Sequence, residues 1–90
     1  MDISFDPAKR AKTLAERGLD FADAGRVFAG LTMTRSDDRF DYPEPRFQTF
    51  GLLDERLVMV VWAEVEERRR IISMRKCNER ERDWFAQQLG

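Results

Sequence analysis

Residues 57–64 read LVMVVWAE, seven apolar side chains in a row closed by Glu64. β-branched and aromatic types dominate the run, neither Gly nor Pro interrupts it, and its length suits a strand. Strand side chains alternate between two faces, so a run apolar at every position is buried on both. Residues 57–64 are therefore predicted to be a central strand, with helices covering the sheet.

The rest of the sheet is read outward from that strand. Upstream, residues 46–53 (RFQTFGLL) alternate imperfectly and Asp54-Glu55 make a turn; downstream, Glu66-Glu67 make the next, and residues 68–75 return antiparallel. Residues 31–35 supply a further strand, and the acidic, proline-containing stretch 36–45 is the loop at which the first hairpin turns. Strict alternation would send Arg69, Ile71, Ser73 and Arg75 to one face and Arg70, Ile72, Met74 and Lys76 to the other. The register across Glu66-Glu67, which decides the arginine that meets Glu64, is left open.

Helix signals bracket the strands. Asp6-Pro7 is an N-cap followed by a first-turn proline and Gly18 a stop, so residues 7–17 are predicted helical, with Ala8, Ala11, Leu14 and Ala15 as the buried stripe. Asp20 caps a second, short helix through Phe21, Ala24, Val27 and Phe28 to Gly30. Asn78 with Glu81 resembles a capping box, opening a last helix over residues 79–89 that buries Trp84, Phe85 and Leu89. At this spacing Trp84 reads as core before it reads as a base-stacking platform. The fold class is α+β: two N-terminal helices, an antiparallel meander of about four strands and a C-terminal helix, in one domain over residues 1–90.

Composition narrows the chemistry. Histidine is absent and Cys77 is the one cysteine, which removes disulfides, Cys/His zinc sites, paired nucleophiles and histidine acid–base catalysis. Asp37, Asp38, Asp41 and Glu44 lack calcium-loop spacing and read as a solvated loop, so no metal or other cofactor is expected. No secretory signal and no membrane-length apolar run is visible, which makes a cytoplasmic location the default. The net charge of −1 hides an uneven distribution: residues 36–55 carry six acidic and two basic side chains, residues 65–82 seven basic and four acidic. Such a local basic cluster suits a compact anion site.

Several motifs, in order along nearly the whole chain, resemble the BrnT family of bacterial toxins. They are Phe5-Asp6-Pro7-Ala8-Lys9, Gly18-Leu19-Asp20-Phe21, Arg46-Phe47 before Gly51, Val60-Val61 running to Glu64, and Arg70-Ile71-Ile72-Ser73-Met74-Arg75-Lys76 followed by Glu79-Arg80-Glu81-Arg82. The resemblance implies a RelE-like fold, a ribonuclease that halts translation, and neutralisation by a BrnA-type antitoxin, a ribbon-helix-helix protein through which the system contacts operator DNA. Where relatives commonly read Lys-His-Gly, this chain has Glu16-Arg17-Gly18, so no histidine role is carried over and Arg17 can serve as a helix-end cation.

Cleaving RNA without a metal needs a base for the 2′-hydroxyl proton and positive charge at the crowded phosphate. Arginine supplies the charge best, through planar paired donors that stay protonated, and the family-like motifs single out Arg46, Arg70 and Arg75. Glu64, at the end of the buried strand, is the expected general base on the premise that it is partly buried. Lys9 and Lys76 are further electrostatic contacts or, if desolvated, proton shuttles. A different class also fits: a non-catalytic module whose basic strand docks an antitoxin. A DNA-binding regulator fits less, since no helix-turn-helix is recognisable.

Overall fold

The doubly apolar strand lies at the centre of the sheet. The computed structural model describes residues 2–89. Its elements are β1 (Ile3–Phe5), α1 (Pro7–Arg17), a 3₁₀ turn (Phe21–Asp23), α2 (Ala24–Ala29), β2 (Thr32–Ser36), β3 (Arg46–Leu53), β4 (Arg56–Val65), β5 (Arg68–Lys76) and α3 (Glu79–Leu89). Every residue of β4 from Leu57 to Ala63 is buried. The sheet order is β1-β5-β4-β3-β2.

The meander accounts for β2 to β5, all antiparallel, but the sheet has a fifth strand that sequence reading omitted. β1 pairs parallel with β5, Ile3 opposite Arg69 and Phe5 opposite Ile71. Three residues are too few to show a period, and their partner is more than sixty positions away. The second helix is also divided: Asp20 caps the 3₁₀ turn by accepting from Ala22 N (2.9 Å), and only Ala24–Ala29 is α-helical.

Two cores lie on opposite faces. On the first, Phe21, Ala24 and Val27 pack on Val58, Val60, Trp62, Ile71 and Met74. On the second, Phe85 of α3 packs with Phe50, Leu57, Met59 and Val61. Each buried Val or Leu of β4 contributes roughly 1.5–3 kcal/mol through apolar area removed from water. Inside the first core, Trp62 donates its indole N–H to Thr49 Oγ1 (2.8 Å), which also bonds Thr34 Oγ1 (2.8 Å), so these polar groups are satisfied.

α1 forms as its signals predict. Asp6 accepts from Ala8 N (2.9 Å), Pro7 opens the helix, and Gly18 ends it at φ 69°, returning its N–H to Leu14 O. Its apolar stripe is nevertheless not buried: Ala8, Ala11, Leu14 and Ala15 are all exposed. Polar anchors decide the orientation instead. Arg10 forks onto Asp20 (2.7 and 3.0 Å), and Arg17 donates to Met74 O (2.8 Å) on the edge of β5 that β1 leaves unpaired. Leu89, also expected in the core, is exposed at the end of α3.

Both tight hairpins carry two acidic residues in left-handed conformation, Asp54 and Glu55 (φ 51° and 67°), then Glu66 and Glu67 (φ 53° and 63°). These are two-residue loops whose twist matches that of the flanking strands. The most consequential departure from regularity is in β5. Val61 pairs with Ser73 but Trp62 pairs with Ile71, leaving Ile72 as an extra, bulged residue.

Gly51 allows α2 to sit on the sheet. A Cβ there would lie 2.8 Å from Val27 Cγ1 and 3.0 Å from Thr32 Cγ2. Gly51→Ala should destabilise the fold by about 1–3 kcal/mol through overpacking; an unchanged urea midpoint would contradict this packing.

Candidate functional site

The bulge at Ile72 reverses which side chains of β5 share a face. Odd-numbered residues of β4 point toward α3, and their partners on β5 are Arg75, Ser73, Arg70 and Arg68. Arg70 and Arg75, which strict alternation would separate, therefore lie on one side. On β3 the same face carries Arg46, Gln48 and Phe50, opposite Ala63, Val61 and Met59. On β2 it carries Met33 and Arg35, opposite Phe50 and Gln48.

The result is a grid across four strands. One row runs Met33, Phe50, Met59, Arg75; the next Arg35, Gln48, Val61, Ser73; the next Arg46, Ala63, Arg70. Arg46 and Arg70 flank Ala63 two strand spacings apart, about 10 Å between backbones, and rows lie about 7 Å apart. Among the described residues, neither Arg46 nor Arg70 is in an ion pair. Arg46 stacks at 4.0 Å on the Tyr42 ring, and its Nε is enclosed without an acceptor.

α3 closes one end of this face through Glu81. Arg75 forks onto both Glu81 oxygens (2.8 and 2.7 Å), and Glu81 Oε1 also accepts from Asn78 N (2.9 Å) while Asn78 Oδ1 accepts from Glu81 N (2.8 Å). The capping box thus doubles as the partner of a site arginine. The Arg75 fork, opposed by partial burial, holds the Glu81 carboxyl down to about 2. Arg35 stands nearby, donating from Nε to Gln48 Oε1 (2.8 Å).

The other end is bounded by residues 37–45. Asp37, expected in a solvated loop, is buried and held by an Arg39 fork (2.7 and 2.8 Å) that lowers its pKa. Its backbone N–H pairs with Arg46 O (2.8 Å), tying the loop to β3. The rest of the acidic stretch is solvated as expected, Asp38 and Asp41 exposed and Glu44 half-buried, and the loop lines an open recess of about 290 Å³.

Other predicted residues are placed elsewhere. Glu64 is exposed, not partly buried, and its register partner is Arg69, not Arg70 or Arg75. Both project to the face opposite the arginine grid, because the β4 side chains alternate and Glu64 follows Trp62 there. Arg69, which no motif singled out for chemistry, lies over the Phe28 and Trp62 rings (4.1 and 5.0 Å) and covers the first core. Lys76 pairs with Val58 on that same opposite face. Lys9 lies in a shallow groove with Lys12, Arg17 and Ser73 beside the free edge of β5.

Sequence reading did not bring Arg35, Gln48, Ser73 and Glu81 together with these arginines, as the structure does. Arg35 and Gln48 become visible only once β2–β3 pairing is known, and Glu81 was legible as a cap and within a family-like motif, with no chemical role attached. Cys77 contributes no nucleophile: it is buried, and desolvation pushes its thiol up to about 11.

The sheet face bears clustered arginines and a carboxylate, and comparison with known families gives the class of protein. The profile described as "Ribonuclease toxin, BrnT, of type II toxin-antitoxin system" matches residues 5–81. The chain belongs to this family, which makes it a ribonuclease-type toxin whose partner is an antitoxin. No curated protein matches the chain. Among the described residues, no helix is long and apolar enough to cross a membrane.

The Arg75–Glu81 fork gives stability a definite pH dependence. Glu81's folded pKa lies below its ordinary value of 4.5, so its contribution is complete above about 4.5 and lost as pH falls toward 2. Glu81→Gln keeps the capping geometry and removes the charge. The wild type should lose roughly 1–2 kcal/mol more than this variant between pH 5 and pH 2.5, after allowing for solvent screening. Parallel stability profiles from denaturant titrations would show that the fork contributes nothing.

Proposed function

We propose that the arginine grid is an RNA-cleaving site, that it works without a metal ion, and that its activity halts translation until a BrnA-type antitoxin covers it. The observation that carries this reading is the bulge-dependent gathering of Arg46, Arg70 and Arg75 on one face, two of them in no ion pair among the described residues. Arg46 and Arg70 are free to take the phosphate oxygens, and Arg75 can be drawn onto them from Glu81. Three guanidinium groups stabilise the extra charge of the pentacoordinate phosphorus, which is the role a metal plays in other nucleases.

Glu81 takes the role of base that sequence assigned to Glu64, because it shares the face with the arginines. While Arg75 forks onto it, Glu81 is a poor proton acceptor. A phosphate that competes for the Arg75 donors releases the carboxylate and raises its proton affinity where the 2′-hydroxyl arrives. The 2′-oxygen then bonds to phosphorus as its proton passes to Glu81, the bond to the 5′-oxygen breaks, and that oxygen takes a proton from solvent. The products are a 2′,3′-cyclic phosphate and a 5′-hydroxyl. Lys9 and Lys76 lie outside this geometry and act at most on the approach of the RNA backbone. Arg17 is occupied at the β5 edge, which supports a structural role for the cation at the position where relatives carry histidine.

The antitoxin, in this reading a ribbon-helix-helix protein, makes the operator contacts, and the toxin reaches DNA only through it. Purified protein should cleave RNA in the presence of EDTA, with Arg75→Ala slowing cleavage by about 10²–10³-fold. Glu81→Gln should slow it comparably while the protein stays folded by circular dichroism, and the antitoxin should abolish it. Intact RNA after prolonged incubation, together with tight antitoxin binding, would instead identify a non-catalytic interaction module.

A further inference from the structure

Beside the Arg75–Glu81 fork, between α3 and strands β2 and β3, lies a cleft of about 270 Å³ lined by Arg35, Phe50, Arg80, Glu81 and Trp84. Its composition differs from the rest of the site: aromatic walls meet two arginines. Trp84 is half-buried, packed edge-on against Phe50 at 5.0 Å between ring centroids. The Arg35 guanidinium stands 5.0 Å over the Phe50 ring and 5.7 Å over that of Trp84. A second open depression, lined by Glu79, Arg80, Asp83, Trp84 and Gln87, shares Arg80 and Trp84 with this cleft.

We propose that this cleft is a nucleobase subsite, in which a base flanking the scissile phosphate stacks against Trp84 and the Arg35 plane. The inference rests on the ribonuclease reading above and adds the part of the substrate that the arginine grid does not address. Phosphates carry no sequence information, whereas base stacking on aromatic and guanidinium planes is how single-stranded RNA is held by its bases. The cleft and the grid are joined by shared residues: Glu81 lines the cleft and accepts the Arg75 fork, and Arg35 lines the cleft and donates to Gln48. A nucleotide whose phosphate displaces Glu81 from Arg75 therefore presents its base toward Trp84.

Arg80 is exposed on α3 and adds a donor at the rim for the edge of the stacked base. The same features suit a base better than an acidic peptide, because a peptide carboxylate would compete with Glu81 without using the indole face. Trp62 does not offer the same surface, being buried and covered by Arg69.

The test uses full-length protein and short oligoribonucleotides whose cleavage is blocked by a 2′-deoxy sugar at the scissile position. Each of the two nucleotides flanking the blocked phosphate is made abasic in turn, and affinity is read by tryptophan fluorescence and by anisotropy of an end label. One abasic position should weaken wild-type binding at least about fivefold and remove the quenching of indole emission. Trp84→Leu, which keeps an apolar contact with Phe50, and Arg80→Ala should both shrink that difference while binding to the abasic RNA is unchanged. Equal affinity for base-containing and abasic RNAs in the wild type overturns the subsite, whichever variants fold. If Arg75→Ala also leaves binding unaltered, the ribonuclease reading fails with it; if Arg75→Ala abolishes binding, only the subsite fails. An effect of Trp84→Leu confined to antitoxin affinity would assign the cleft to the protein partner and overturn the proposal.

Discussion

Ile72 is an unpaired residue in β5, and the arrangement of both faces of the sheet depends on it. With a regular ladder, Ile71 and Met74 would point in opposite directions; with the bulge, both enter the core beneath the 3₁₀ turn and α2. The same shift returns Arg70 to the face that bears Arg75, opposite Arg46 of β3. A bulge disturbs one rung of the ladder and re-aims every side chain beyond it, so one inserted residue sets packing and charge placement together.

Electrostatics then follow from position more than from net charge. The chain is nearly neutral overall, yet particular carboxylates are committed to particular arginines: Asp20 to Arg10, Asp37 to Arg39, Glu81 to Arg75. Among the described residues Arg46 and Arg70 have no ion-pair partner, on the same face where Glu81 holds Arg75. Glu81 links three levels at once, since it closes the N-terminus of α3, neutralises Arg75 and lines the aromatic cleft. Changing it alters helix capping, stability above about pH 4.5 and the charge of this face together. The glutamine variant separates these, as an amide retains the capping bond and loses the charge.

Much of the fold was legible because local signals agree with it. Asp6-Pro7 with Gly18, Asn78 with Glu81, and the acidic pairs at 54–55 and 66–67 each mark a boundary that the structure keeps. What escaped was non-local. Ile3-Ser4-Phe5 is a strand only because β5 offers an edge, and the α1 stripe stays exposed because Arg10 and Arg17 fix the helix by polar contacts at distant positions. Residues Arg46, Arg70 and Arg75 were visible as cations in motifs, but their common face was not, because Ile71-Ile72-Ser73 carries no glycine to announce a bulge. Glu64 stood out as the carboxylate ending the buried strand; pleating places it with Arg69, on the face opposite Arg46, Arg70 and Arg75.

The central claim is that one bulged sheet face, and not the other, receives the RNA backbone. The direct measurement is an NMR titration of arginine side-chain Nε–H resonances with an uncleavable RNA oligonucleotide. The account predicts that Arg46, Arg70 and Arg75 shift together, with saturation at one affinity, while Arg17 and Arg69 stay in place. Shifts at Arg69 with none at Arg46 or Arg75 would contradict it.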